Sequence, residues 1–280
     1  MFICGKEREL DLSSPKVMGI LNMTPDSFSD GGSYSTLDQA LFRVEQMVEE
    51  GAAIIDVGGE STRPGADYIS AGQEIERVVP IVEKIASNID VMISIDTYKT
   101  AVMKAACDAG AHLINDINAL NDEGAEEYAV HSDAAICIMH MQGAPETMQI
   151  APNYQNVVQE VSDFLKNKIN KLQRLGLKEN KLIIDPGFGF GKTVEQNYNL
   201  LANMDKIIGW DLFPFLVGVS RKSMIGAIIE KPVNERMAGS LGAALFSLTK
   251  NANIIRVHDV AATVDAIKVF TFSSSFQQKI

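Results

Sequence analysis

A single (β/α)8 barrel of the TIM type is the fold this sequence predicts, and two observations carry the prediction. Eight short apolar runs alternate with stretches of helical periodicity, and the unusual polar residues fall where those runs end. A doubly wound open sheet would show the same alternation. The polar residues separate the two, because a closed barrel gathers them at one mouth while an open sheet spreads them along an edge. One domain over residues 1–280 is expected, since no Gly/Ser-rich or charged linker interrupts the pattern. The polar stretch from about residue 273 to 280 is expected to be a frayed tail.

The composition suits that fold. Of 280 residues, 46% are hydrophobic, which is ample for a large core and excludes a disordered chain. Twenty-five Lys and Arg against 36 Asp and Glu leave a net charge of −11, so neither nucleic acid nor an anionic membrane is an expected partner. An anionic ligand would need a local basic pocket. Cys4, Cys107 and Cys137 are too widely spaced for a zinc site and odd in number for a disulfide framework, so reduced, mostly buried thiols are expected. The charged start MFICGKEREL lacks the apolar stretch of an export signal, and no window approaches the roughly 18 to 20 apolar residues of a membrane span. A cytoplasmic location follows as an expectation.

Taken in order, the predicted strands are VMGIL at 17–21, AIIDV at 53–57, VMISI at 91–95, HLIND at 112–116, AICIM at 135–139, LIID at 182–185, FLVGV at 215–219 and IIRV at 254–257. Their β-branched, continuously apolar character is that of strands buried on both faces. Leu37, Leu41, Val44 and Val48 form a helical face opened by Thr36-x-x-Gln39 and closed at Gly51. Ser70-x-x-Gln73 opens a second helix bearing Ile75, Val78, Val82 and Ile85, and Val158, Val161, Leu165, Ile169 and Leu172 supply a third face.

Each strand end carries polar groups. Asn22 follows the first strand, Asp56 lies in the second, Asp96 ends the third, Asn115 and Asp116 the fourth, His140 the fifth and Asp185 the sixth. Ser220-Arg221-Lys222 follow the seventh, and Arg256 with His258 close the eighth. An Asp or Asn at a strand end also serves as a turn former or cap, and Asp56, Asp116 and Asn22 taken singly read better that way. Asp96, Asn115 and Asp185 read better together, as two carboxylates and an amide suited to a flat heterocycle with alternating donors and acceptors. Arg256-x-His258 precedes a helix, AATVDAIKVF, where barrels bind phosphate, although as strand residues the two side chains are expected on opposite sides. The long loops 22–35 and 58–69 are rich in Gly, Pro, Ser and Asp, and Arg63 marks the second for anion binding. DPGFGFGKT at 185–193 nearly matches GxxxxGK[ST], but Pro186 stands at the first glycine position and offers no N–H. Its alternating glycines instead allow close approach to a ligand, with Phe188 or Phe190 free to stack on a ring, while Lys192 is expected in solvent.

In the order GILNMTPDSFSDGG, DVGGESTRPG, SIDT, INDI, IIDPGFGFGK, VGVSRKS and RVHDV, the blocks of this sequence resemble those of the dihydropteroate synthases, over nearly the whole chain. The wider pterin-binding family, with its methyltransferases, resembles it at the Asp, Asn and Asp positions but not in the two long loops. The resemblance implies condensation of 6-hydroxymethyl-7,8-dihydropterin diphosphate with 4-aminobenzoate, in a homodimer that uses Mg2+. It implies that Asp96, Asn115, Asp185 and Lys222 hold the pterin, that Phe190 belongs to the substrate-binding residues, and that Asn22 touches the metal. Thr62, Arg63, Arg256 and His258 would hold the diphosphate. Ser223, Phe28 and Pro64 would line the aminobenzoate pocket, where sulfonamides would compete. Asp96, Arg63 and Lys222 would bear on the chemistry itself. On this assignment Arg256→Ala should weaken diphosphate binding and leave affinity for a pterin lacking it intact.

Overall fold

The structure, a computed structural model, describes residues 1–24, 36–61, 66–143, 148, 151–207 and 212–276. Along the chain lie β1 (Phe2–Gly5), β2 (Arg8–Asp11), β3 (Lys16–Asn22), α1 (Thr36–Glu49), β4 (Ile54–Gly58), α2 (Ala71–Asn88), β5 (Met92–Asp96), α3 (Thr100–Ala109), β6 (Leu113–Asp116) and α4 (Ala125–His131). There follow β7 (Ala135–Met139), α5 (Val157–Arg174), β8 (Leu182–Asp185), α6 (Val194–Ala202), β9 (Phe215–Val217), α7 (Ser223–Ile229), α8 (Met237–Leu248), β10 (Ala252–Val257) and α9 (Val260–Ser274).

Eight strands close into a parallel barrel in the order β10-β3-β4-β5-β6-β7-β8-β9, which excludes the open sheet. The predicted strands all appear; the seventh stops at Val217 and the eighth begins earlier, at Ala252. Period-two alternation divides their side chains cleanly. Met18, Ile54, Met92, Leu113, Ile183 and Ile254 pack inside the barrel with Cys137. Val17, Ile55, Ile93, Ile114, Ile184 and Ile255 face the helices and join α-helical residues in the outer core. All three cysteines are free, Cys107 and Cys137 buried and Cys4 half-buried.

The helical faces lie where their spacing puts them. Ser70 and Gln73 make the reciprocal capping box of α2, and Val78, Val82 and Ile85 are buried. Val161, Leu165, Ile169 and Leu172 are buried on α5. In α1 the buried residues are Ala40, Val44 and Met47, with Leu37, Leu41 and Val48 packed partly against them. Thr36 itself lies within that helix.

The amino terminus adds a feature the sequence reading did not contain. Residues 2–11 form an antiparallel hairpin, with Ile3 fully buried in the cluster that fills the barrel interior and Lys6 N–H donating to Asp133 O at 2.6 Å. Its strands are only four residues long, too short for a pattern to stand out. At the other terminus α9 runs to Ser274, and the Phe272 and Phe276 rings meet edge to face.

Candidate functional site

Strand parity decides which polar groups reach the barrel mouth. On β4, Ile54, Asp56 and Gly58 share the inward face; on β5, Met92, Ser94 and Asp96 do; on β6, Leu113 and Asn115 do. Asp116 has the outward parity of Ile114. Its carboxylate accepts the N–H groups of Asn118 at 2.7 Å and Leu120 at 2.6 Å, so Asp116 is a turn former.

Asp56, by contrast, is a central member of the site, against the expectation that it only shapes a turn. It is fully buried, and its Oδ2 accepts from Asn115 Nδ2 at 3.1 Å and from Arg256 Nε at 2.6 Å. Arg256 Nη2 also donates to Asp96 Oδ2 at 2.6 Å, so one guanidinium bridges two carboxylates across the mouth. Burial opposes the guanidinium charge, but Asp56 and Asp96 outweigh it and raise its pKa. Burial also lifts Asp96 to about 7, with Arg256 pulling the other way. Asp56 Oδ1 and Asp96 Oδ1 are buried and accept no hydrogen bond among the described residues. Two acceptors left in this state at the floor of a polar mouth are a demand for N–H donors.

Asp185 ends β8 one strand beyond β7, opposite Met139 in register. Its Oδ1 accepts Gly187 N–H at 2.7 Å, and burial raises its pKa against the attraction of Lys222. Lys222 caps α7, donates to Phe188 O and lies 4.6 Å from the centre of the Phe190 ring. Burial lowers its pKa to about 8. Phe190 is the half-buried ring beside the site, whereas Phe188 is fully buried in the outer core.

Arg256 and His258 lie on the same side. Residues two apart on an extended chain share a face, which corrects the expectation that they oppose each other. A Cβ built on Gly218 would lie 3.9 Å from the Arg256 side chain, and two residues on Ser220 Oγ is 3.0 Å from His258 Nδ1. Arg221 leaves the cluster: it turns through a positive φ of 58° and pairs with Asp259, its Nε at 2.9 Å from Oδ2. Ser223 is exposed at the first turn of α7. Asn22 ends β3 beside Gly58, where a built Cβ would lie 3.9 Å from its Oδ1 and 3.7 Å from Asp96 Oδ2. Phe28, Thr62, Arg63 and Pro64 lie outside the described residues.

Lys192 contradicts its expected exposure. It is 3% exposed, and its ammonium donates to Gly187 O and Phe190 O, with His140 Nδ1 3.1 Å away. His140 therefore turns from the mouth to this lysine and to Phe164, in an edge-to-face contact at 5.0 Å. Thr193, which would be the last residue of a phosphate-cradling motif, instead caps α6 in a reciprocal box with Gln196. The nucleotide-binding alternative for 187–193 falls with these two side chains. A further cluster escaped the residue pattern: Lys99, buried, bonds Glu60, which follows β4, at 2.8 Å and Glu74 of α2 at 2.6 Å. The signal that finds it is a lysine three residues past Asp96.

As a whole the mouth presents two buried acceptor oxygens on two carboxylates, an amide, a third carboxylate and two cations around one opening. Such a set can hold a planar ring rich in N–H donors and neutralise an anion beside it.

Comparison with known proteins agrees with this chemistry. The pterin binding enzyme family matches residues 18–258. The dihydropteroate synthase of Haemophilus influenzae is 54% identical over 272 residues, covering 96% of this chain and 98% of that protein. The Yersinia pestis dihydropteroate synthase, solved as a sulfonamide drug complex, superposes with a TM-score of 0.92 at 46% identity, covering 98% of this chain and 100% of that one. The Burkholderia cenocepacia dihydropteroate synthase, solved with 7,8-dihydropteroate, gives 0.89 at 45% identity, covering 98% and 96%.

Proposed function

Because the chain belongs to the pterin-binding enzymes, and among them to the dihydropteroate synthases, we propose that its barrel mouth is the place of condensation and assign the roles there as follows. The reaction joins 6-hydroxymethyl-7,8-dihydropterin diphosphate to 4-aminobenzoate and releases diphosphate, a transfer of an alkyl group. The observation that carries the assignment is the pair of buried oxygens without a hydrogen bond among the described residues, on Asp56 and Asp96, beside Asn115, which donates to Asp56, and Arg256, which bridges the two carboxylates.

On this reading Asp96, Asn115 and Asp185 take the N–H donors of the pterin, joined by Asp56, with Lys222 and Phe190 along the ring. The bond from the exocyclic methylene to diphosphate breaks with its electron pair leaving on oxygen. Arg256, His258, Thr62 and Arg63 take up that charge. Positive charge left on the dihydropterin lies beside the Asp96 carboxylate. The arylamine lone pair then forms the carbon–nitrogen bond and its proton departs, so the step needs proximity and no covalent enzyme nucleophile. Ser223, Phe28 and Pro64 frame the aminobenzoate, and sulfonamides compete for that place.

Mg2+ is part of this proposal, and the residues fit it in one way. Among the described residues no cluster of three His, Cys, Asp or Glu could cage an ion. Asn22 offers one amide oxygen, which suits a hard cation that keeps its waters and is bound chiefly by substrate phosphates. Bound there, Mg2+ would screen the charge of the departing diphosphate.

A homodimer is supported by large apolar side chains exposed along neighbouring helices, Ile228 on α7, Phe246 on α8, and Val269 and Phe272 on α9. Cytoplasmic residence is supported by the three free cysteines. No described helix is long and apolar enough to cross a membrane.

The test is product formation. With both substrates and Mg2+ the protein should make dihydropteroate, with a sulfonamide competitive against 4-aminobenzoate. Methyl transfer from methyltetrahydrofolate, or phosphate release from ATP, in place of that product would refute the assignment.

The site also sets a pH dependence. Ionised Asp96 accepts an N–H more strongly than its acid form and balances the charge left on the dihydropterin, and its pKa is raised to about 7, so kcat/KM for the pterin diphosphate should climb as pH rises through that value. Lys222 must stay charged, and its pKa is lowered to about 8, so the same quantity should fall above it. Asp96→Asn should abolish the acidic limb while keeping the basic one; an unchanged acidic limb would remove Asp96 from this role.

A further inference from the structure

The turn after β9 is tied to the segment after β10 at two consecutive positions. Ser220 Oγ lies 3.0 Å from His258 Nδ1 and accepts His258 N–H at 3.3 Å, and the following residue on each side continues the seam, Arg221 Nε donating to Asp259 Oδ2 at 2.9 Å. Arg221 reaches its partner through a left-handed backbone, φ 58°, which is strained for a residue with a side chain. Neighbouring contacts hold it there: Arg221 N–H donates to Ser240 Oγ of α8 at 2.9 Å, and Arg221 O accepts from Arg236 Nη1 at 3.1 Å. The result of that bracing is a hydroxyl fixed against the imidazole.

Hydrogen-bond accounting says which way the hydroxyl points. Ser220 is 6% exposed, so its hydrogen needs a protein acceptor. A backbone N–H can only donate, so His258 N–H takes up a lone pair of Oγ and leaves the hydroxyl hydrogen to be placed. Among the described residues His258 Nδ1 is the acceptor within its reach. Nδ1 accepts only when it carries no proton, which puts the hydrogen of the neutral imidazole on Nε2. With Nδ1 engaged by Ser220, an anion has to be met through Nε2, and in this form that nitrogen presents an N–H. In the opposite form it would present a lone pair and repel the anion.

We propose that Ser220 is a positioning residue for the departing diphosphate: by donating to His258 Nδ1 it holds the imidazole in the form whose Nε2–H meets the oxygens on which the leaving electron pair settles. The proposal rests on the assignment of His258 to the diphosphate. It gives the serine a task that runs through the histidine, whatever else the turn after β9 lines.

The experiment is nitrogen NMR of protein carrying 15N in its histidine rings, at a pH where His258 is neutral, together with the affinity of inorganic diphosphate in the presence of Mg2+. The His258 signals are those lost in His258→Gln. In the parent, Nδ1 should show the shift of an unprotonated ring nitrogen and Nε2 that of a protonated one. In Ser220→Ala the two shifts should converge, as the ring then populates both neutral forms, and diphosphate should bind about fivefold more weakly, while a pterin lacking the diphosphate binds within about twofold of the parent. Ser220→Thr, which keeps the hydroxyl, should restore the parent shifts and the parent affinity. A parent ring protonated on Nδ1 overturns the proposal, and that measurement needs no variant to fold. So does a Ser220→Ala variant with the parent's ring shifts or the parent's diphosphate affinity, or one that loses diphosphate and the bare pterin alike. Failure of the underlying assignment shows separately, as a His258→Gln variant that binds diphosphate as the parent does.

Discussion

Arg256→Ala should destabilise the protein itself, by about 3 kcal/mol in urea unfolding near neutral pH, and should weaken binding of a pterin that carries no diphosphate. The residue pattern alone suggested a loss confined to diphosphate. The structure replaces that expectation, because the guanidinium is already committed: Nε to Asp56 and Nη2 to Asp96, each at 2.6 Å. Removing it leaves two carboxylates facing each other at the floor of the mouth, one of them with no exposure at all. The low end of the usual range for breaking a buried ion pair applies, since 19% of the Arg256 side chain is open to water. The penalty should shrink as pH falls toward about 7: with Arg256 gone the Asp96 pKa rises above the value of about 7 it has beside the guanidinium, Asp96 takes a proton and the repulsion with Asp56 disappears. A variant as stable as the parent, with only diphosphate binding reduced, would return Arg256 to a pure anion-binding role.

Asp185→Asn should leave the fold intact and cost roughly 10- to 100-fold in pterin affinity, the worth of about 1.5–3 kcal/mol for a hydrogen bond to a charged group. The substitution is informative because Asp185 does two things. Its Oδ1 accepts Gly187 N–H at 2.7 Å, a task an asparagine oxygen can continue. Its negative charge attracts Lys222 and is what a pterin N–H would find, and the amide loses that. Titration calorimetry with a pterin and thermal melting therefore separate the two roles. Normal pterin affinity in a stable variant would leave Asp185 with only its turn to make.

The contrast between Asp56 and Asp116 shows where the sequence was legible and where it stopped. Both are aspartates in apolar strands, and by type alone both read as turn formers. Parity tells them apart once the strand's inward face is known: Asp56 has the parity of Ile54, which fills the barrel, and Asp116 that of Ile114, which meets the helices. A continuously apolar strand conceals that face, because both sides are buried. Only closure of the barrel reveals which residues look inward. The same reasoning places Arg256 and His258 together. Lys192 was illegible for another reason, since the acceptors that bury it are backbone carbonyls and a histidine 52 positions away, which no local pattern records. The strands and most helical faces were legible, because their signal is local periodicity; the amino-terminal hairpin, with two strands of four residues each and no continuous apolar run, carried none.

Diphosphate release with one substrate withheld tests the central claim most directly. With Mg2+ and the pterin diphosphate alone, release should be slow; addition of 4-aminobenzoate should start rapid release, with one dihydropteroate formed for each diphosphate. Rapid release without the arylamine, or release with no dihydropteroate formed, would contradict a barrel mouth built to join the two.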